Sequence, residues 1–286
     1  MIHLSTNLFY TMVILIQCKD QVGLVGAVAN IFAKLGINII AMREHVDTSD
    51  NRFFLRVVVA GRVDFLLAGQ QLKAVLPAEA TIKISTQPEK KIIVLVSKEY
   101  HCLSDILVRN HFKTLGATVQ CVIGNHATME EICRRFDVPF YLVPAENIDK
   151  SFFESSLFSI IEKYKTDYLV LAKFMRILSA GFVEKFSFQV INIHHSFLPA
   201  FVGASPYKQA YERGVKLIGA TAHFVTNQLD EGPIIAQQII PVTHSFTSSD
   251  MVRSGKEIEK AVLARALQLV FEDRVLIYKN KTIVFE

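Results

Sequence analysis

The chain has no tryptophan, and its 286 residues include only 13 glycines, 8 prolines and 4 cysteines. So little glycine and proline excludes collagen-like and low-complexity architectures and leaves long stretches able to form regular elements. Cys18, Cys102, Cys121 and Cys133 form no C-x-x-C pair and lack metal-ligand spacing. Neither a disulfide framework nor a zinc module is expected, and the thiols read as reduced in a cytoplasmic protein. No block of five like charges occurs and the formal net charge is +4, which excludes a nucleic-acid stripe and a polybasic membrane patch. The mild positive balance suits a small anionic substrate. No apolar run approaches the ~20 residues that span a bilayer. The apolar segment 8–16 lacks a basic n-region and a small-residue cleavage site, so it reads as a strand and not as a signal peptide.

What is present is apolar periodicity. Half the residues are apolar (51%) and a fifth are charged (20%), the balance of a globular protein able to bury two cores. Residues 1–87 form one domain. Strands are expected over 11–17, 37–43, 53–59 and 80–85, with helices over 24–35 and 63–74. Asp20 or Gln21 stands near the expected cap of the first helix, Gly36 ends it, and Asp47-Thr48-Ser49-Asp50-Asn51 is a turn cluster. The order βαββαβ is the ferredoxin-like split unit.

Gln87-Pro88-Glu89-Lys90-Lys91 reads as a linker. Residues 88–286 form the second domain. Strands expected at 92–96, 119–123, 140–143, 168–172, 190–194 and 219–225 alternate with helices at 103–116, 130–136, 152–164, 179–186 and 206–213. That alternation specifies a doubly wound, mostly parallel sheet. A long helix over 251–270 follows, then a hairpin around Lys279-Asn280-Lys281.

The chemistry concentrates in two pieces. Val190-Ile191-Asn192-Ile193-His194-His195 is an apolar run ending in polar groups, and Thr221-Ala222-His223-Phe224 leads to Leu229-Asp230-Glu231-Gly232-Pro233. Open α/β sheets bind ligands beyond the carboxyl ends of their strands. Alternation puts Asn192 and His194 on one face. An amide there can stabilise an oxyanion. His194 can act as a general acid, and an Asp230 carboxylate nearby favours the charged imidazole and can take a proton from water. A satisfied buried Asn-His pair and a turn aspartate remain the plainer alternative. His194 and His195 face opposite sides of a strand, so no metal is expected there. His195 lies beneath the site or on its wall, and Thr221 and His223 share a face as second-layer groups or core. Met175-Arg176-Ile177-Leu178 follows a strand, either as the first turn of a helix or as the wall of a cleft, with Arg176 structural in the former case. Lys173 and the loop Gly124-Asn125-His126 stand at strand ends without a fixed role.

Asn192-Ile193-His194 together with Leu229-Asp230-Glu231-Gly232-Pro233 resembles the folate-dependent formyltransferase family, over roughly residues 90–286. Leu171 to Leu178 is similar to that family's folate-binding segment, and Asp20-Gln21-Val22-Gly23-Leu24-Val25 with Gly36-Ile37-Asn38-Ile39 resembles an ACT domain. The fusion, with His194-His195 and Arg213-Gly214-Val215-Lys216, resembles the hydrolytic members of the family. The resemblance implies hydrolysis of 10-formyltetrahydrofolate to formate and tetrahydrofolate, balancing the one-carbon pool and supplying formate for purine synthesis. It implies catalysis by Asn192, His194 and Asp230, and folate contacts from Met175, Arg176, Ile177, Leu178 and Leu229. No cofactor beyond the folate substrate is implied. An amino-acid effector such as glycine or methionine is placed near Asp20, Gly23, Leu24 and Asn38, and a homo-oligomer is implied. Transformylases of the family carry a Gly- and Asn-rich phosphate loop after the first strand. Here Ser97-Lys98-Glu99-Tyr100-His101-Cys102-Leu103-Ser104 has no glycine, which favours water over a phosphorylated amine as acceptor. The alternatives are a formyltransferase acting on an amine such as glycinamide ribonucleotide, and an inactive amino-acid-binding regulator.

Overall fold

The structure, a computed structural model, describes residues 11–61, 64–86, 89–200 and 206–286. The start of the apolar segment at 8–10, Val63, and the linker residues Gln87 and Pro88 lie outside the described residues. Two compact units divide the chain.

The first unit contains β1 (Thr11–Lys19), α1 (Leu24–Lys34), β2 (Asn38–Asp47), β3 (Arg52–Ala60), α2 (Phe65–Val75) and β4 (Thr81–Ser85). Its antiparallel sheet has the order β2-β3-β1-β4, the ferredoxin-like arrangement the pattern predicts. Met12, Ile14, Ile16 and Cys18 alternate onto one face of β1 and meet Leu24, Val28, Ile31 and Phe32 of α1. α1 does not begin with an Asp20 or Gln21 cap. Gly23 takes that place at φ 92°, with no side-chain cap bond, a left-handed conformation that favours glycine. α2 is capped by Asp64, whose carboxylate accepts from the Leu66 and Leu67 N–H groups at 3.0 and 3.1 Å. Asp273–Leu276 and Ile283–Glu286 group with this unit, although the sequence assigns all of 88–286 to the second domain. Arg56 Nε donates to the Asp273 carbonyl at 2.9 Å, and Lys83 Nζ faces its carboxylate at 3.2 Å.

The second unit contains β5 (Lys90–Val96), α3 (His101–His111), β6 (Ala117–Gly124), α4 (Glu130–Arg135), β7 (Phe140–Leu142), α5 (Lys150–Ile161), β8 (Tyr168–Leu171), α6 (Ala180–Lys185), β9 (Val190–His194), α7 (Pro206–Arg213), β10 (Leu217–Phe224), β11 (Ile234–Pro241) and α8 (Ser248–Phe271). The sheet order is β11-β10-β9-β8-β5-β6-β7. β5 to β9 are parallel, whereas β10 pairs antiparallel with both β9 and β11. β11 is an addition to the expected elements; Pro233 and Pro241 at its ends obscure an Ile-rich strand. Ile92 to Val96 is completely buried, as a parallel strand covered on both faces must be. The winding reverses between β5 and β8, so the carboxyl ends of these strands form the topological switch point where such sheets bind ligands. A hairpin of β12 (Val275–Tyr278) and β13 (Lys281–Val284) closes the chain. Among the described residues no helix is long and apolar enough to cross a membrane.

Candidate active site

Asn192 and His194 leave the same face of β9. The antiparallel register sets His223 opposite Asn192 and Thr221 opposite His194, so all four side chains share that face. The expectation that Asp230 follows a second carboxyl strand end at the same edge needs correction. Because β10 runs against β9, its final residues lie beside the start of β9, and Val225 N–H donates to the Val190 carbonyl at 2.8 Å. The turn that follows folds back over the sheet face to bring Asp230 to the histidines. Two backbone features permit this. Asp230 is in the left-handed region at φ 57°, which aspartate tolerates better than most residues. At Gly232 an added Cβ would stand 1.8 Å from the Phe224 carbonyl oxygen, so no side chain fits there.

The Asp230 carboxylate lies between two imidazoles. Its Oδ2 is 3.3 Å from His194 Nδ1, and its Oδ1 is 3.7 Å from His223 Nε2. Burial alone raises its pKa, but the hydrogen bond and charge of His194 outweigh that and hold the carboxyl well below the usual carboxylate range. His223 donates from Nδ1 to the Phe224 carbonyl at 2.9 Å. Its Nε2 then accepts from the Asn192 amide at 3.2 Å, which orients the amide and leaves its second hydrogen for a ligand. His194 is buried, and its Nε2 has no hydrogen-bond partner among the described residues. A buried polar atom left unpaired is costly, and this one lies on a cleft.

That cleft has a volume of about 380 Å³, within the range of small-molecule pockets. Asn192, His194 and Asp230 lie on it together with Met175, Ile177 and Leu229. These three apolar side chains are 60%, 64% and 56% exposed and lie together on one cleft, the setting in which exposed apolar surface marks a ligand-binding groove. Met175 to Leu178 is irregular, not helical, because α6 starts only after Ser179 caps it. Ser97 Oγ accepts from Met175 N–H at 2.9 Å, and the Arg176 N–H donates to the Phe174 carbonyl, so these two backbone donors are already engaged. The Arg176 side chain also lines the cleft, but it donates to the Ala145 carbonyl at 3.2 Å and lies over the Phe153 ring; it holds the loop against α5. Leu178 completes the wall. Thr221 turns out to be a brace: its hydroxyl donates to the Ser196 carbonyl at 2.8 Å and accepts from Leu198 N–H at 3.0 Å.

A formyl transferase family model matches residues 90–267, and an ACT domain model matches residues 12–77. A formyltetrahydrofolate deformylase of Haemophilus influenzae is 46% identical, over 95% of this chain and 98% of its own length. The crystal structure of a formyltetrahydrofolate deformylase from Pseudomonas syringae pv. tomato is similar with a TM-score of 0.92 and 39% identity, covering 99% of this chain and 97% of that one. The chain belongs to the formyltetrahydrofolate deformylase family. A glycinamide ribonucleotide transformylase from Symbiobacterium toebii is also similar, with a TM-score of 0.66 and 31% identity over 69% of this chain and 95% of its own. The deformylase family and that transferase thus share one sheet, and residues around the sheet must distinguish their reactions.

Sequence reasoning missed the polar cluster beside this family site. Glu259 of α8 is 1% exposed. It accepts from His101 Nε2 at 2.8 Å and Tyr207 Oη at 2.8 Å, and pairs with Lys173 Nζ at 3.2 Å. Burial raises its pKa, but the His101 bond and the Lys173 charge more than offset this and bring it to about 2. Lys173 sits at φ 62°, and its carbonyl accepts from Ser97 N–H at 3.3 Å. The one signal was Glu259 on the buried face of α8, in helical register with Ile258, Val262 and Leu263. Lys256 reaches Glu99 at 2.6 Å, which ties down the glycine-free loop after β5. His101, Cys102 and Glu259 come within metal-ligand reach of one another, but the Lys173 ammonium already shares the Glu259 carboxylate, and a cation there opposes a second one.

In the first unit, the residues named for an effector divide. Leu24 is buried in the core of this unit, so its side chain is not available to a ligand. Asp20 donates its N–H to the Asn51 carbonyl at 2.9 Å, Gly23 begins α1, and Asn38 opens the edge strand β2.

Proposed function

We propose that this chain hydrolyses 10-formyltetrahydrofolate to formate and tetrahydrofolate, as the names of its full-length relatives indicate. The observation that carries this is the Asn192–His223–Asp230–His194 array at the edge of a cleft with exposed apolar walls. The pterin lies against Met175, Ile177 and Leu229, which puts the formyl group over the array. The free Asn192 amide hydrogen donates to the oxyanion that forms when water attacks, an effect of about 3–4 kcal/mol for one well-placed donor. His194, held by Asp230 through Nδ1, delivers a proton from Nε2 to the departing folate nitrogen. Asp230 acts by its charge, which holds His194 oriented through Nδ1. No cofactor is required besides the folate substrate. The loop after β5 has no glycine, and Lys256 pairs with its Glu99 at 2.6 Å, which supports water over a phosphorylated amine as acceptor.

The ACT-like unit serves as a site for an amino acid linked to one-carbon supply, glycine or methionine, and as an assembly element between copies of the chain. All four cysteines are unpaired and buried, which supports a cytoplasmic setting. Incubating the pure protein with 10-formyltetrahydrofolate and measuring formate, with and without glycinamide ribonucleotide, tests the assignment. Formate without the amine is expected. Formyl transfer that strictly requires the amine would replace it with the transferase alternative.

A further inference from the structure

Hydrolysis needs a group to hold the attacking water. Asp230 is committed to holding His194, whose Nδ1 lies 3.3 Å from its Oδ2. Asn192 and His194 are assigned to the oxyanion and the leaving nitrogen. Lys173 is bound to Glu259 and has only protons to give. His195 remains. It lines the same cleft as Asn192 and His194, with its ring centroid 5.2 Å from that of His194. Neither of its ring nitrogens has a hydrogen-bond partner among the described residues. An imidazole beside a polar cluster that bonds to none of it has a lone pair and an N–H available to a small polar molecule.

We infer that His195 is the catalytic residue that holds the attacking water beside the formyl carbon and takes its proton. This rests on the deformylase assignment. As the water oxygen bonds to the formyl carbon, one of its protons passes to a His195 nitrogen, and the carbonyl electron pair moves to the oxygen facing Asn192. On collapse the carbon–nitrogen bond breaks and the folate nitrogen takes a proton from His194. The formic acid returns a proton to His194, and His195 releases its own to solvent. The sum is formate, tetrahydrofolate and one proton. Burial, and next the Lys173 ammonium, push His195 down to about 4; His194 adds to the fall, and Glu259 and Asp230 oppose it. The ring is therefore neutral at neutral pH and keeps a lone pair on one nitrogen. So weak a base suffices, because a water proton becomes strongly acidic once its oxygen is bonded to carbon.

The test uses the intact chain with His195→Ala and His195→Gln, each checked for folding by circular dichroism. Formate release should fall at least ~100-fold in kcat, with KM and folate affinity changed less than about threefold, because the water site is not a folate contact. Imidazole at tens of millimolar should restore part of the His195→Ala rate, a gain no purely structural lesion gives. If wild type releases formate and the variants keep its kcat, lose only folate affinity, or lose kcat without rescue by imidazole, the water assignment is overturned while the deformylase assignment stands. If wild type releases no formate, both fall. If His195→Ala does not fold, His195→Gln decides by the same kcat and KM comparison.

Discussion

Asn192 and His223 stand opposite one another across the β9–β10 ladder, and the amide nitrogen of the first lies 3.2 Å from Nε2 of the second. The pair makes an oriented donor out of a side chain that alone has two equivalent settings. Asn192→Ala should thus lower kcat by about 100-fold or more while KM changes little, since an oxyanion contact exists chiefly in the transition state. Steady-state kinetics of formate release checks this; an effect confined to KM would make Asn192 a substrate-binding group only.

Asp230→Asn keeps the shape of the turn but removes the charge between His194 and His223. Turnover should fall at least ~100-fold, with folate affinity measured by titration nearly unchanged. A folded variant with near-normal turnover would take Asp230 out of the reaction.

Activity should persist through extended dialysis against a chelator. The His101–Cys102–Glu259 cluster shares its carboxylate with the Lys173 ammonium. Loss of formate release on chelation, restored by zinc, would reverse this expectation.

The His195 environment gives acid sensitivity of a defined sign. An unfolded imidazole gains its proton near about 6.5, whereas folded His195 resists until about 4. Its folded pKa is depressed, so its contribution to stability is complete above the unfolded value and is lost as pH falls from 6.5 towards 4. The depressed carboxyl of Asp230 acts in the same sense at lower pH. Tm of the wild type should drop between pH 7 and 4.5, and His195→Gln should lose less over that interval. Equal losses by calorimetry would remove His195 from the effect.

Calorimetry of the intact protein with glycine or methionine at millimolar levels should show binding, and saturation should change turnover. Such an effector acts only by preferring one of two states. No heat and no change in rate would leave the first unit as an assembly element alone.

The sequence by itself determined most of the elements and which polar side chains share a strand face. Strand alternation placed Asn192 and His194 on one face, and helical spacing placed Leu24, Val28, Ile31 and Phe32 in a core, because both follow from local backbone geometry. Only the tertiary structure decided the direction of β10, the existence of β11, and the folding back of the turn that carries Asp230 to His194. It alone brought Lys173 of the loop after β8 together with His101, Tyr207 and Glu259 of three different helices. Strand direction and distant charge pairing depend on which surfaces meet and which buried charges must be compensated. No window of sequence contains that information.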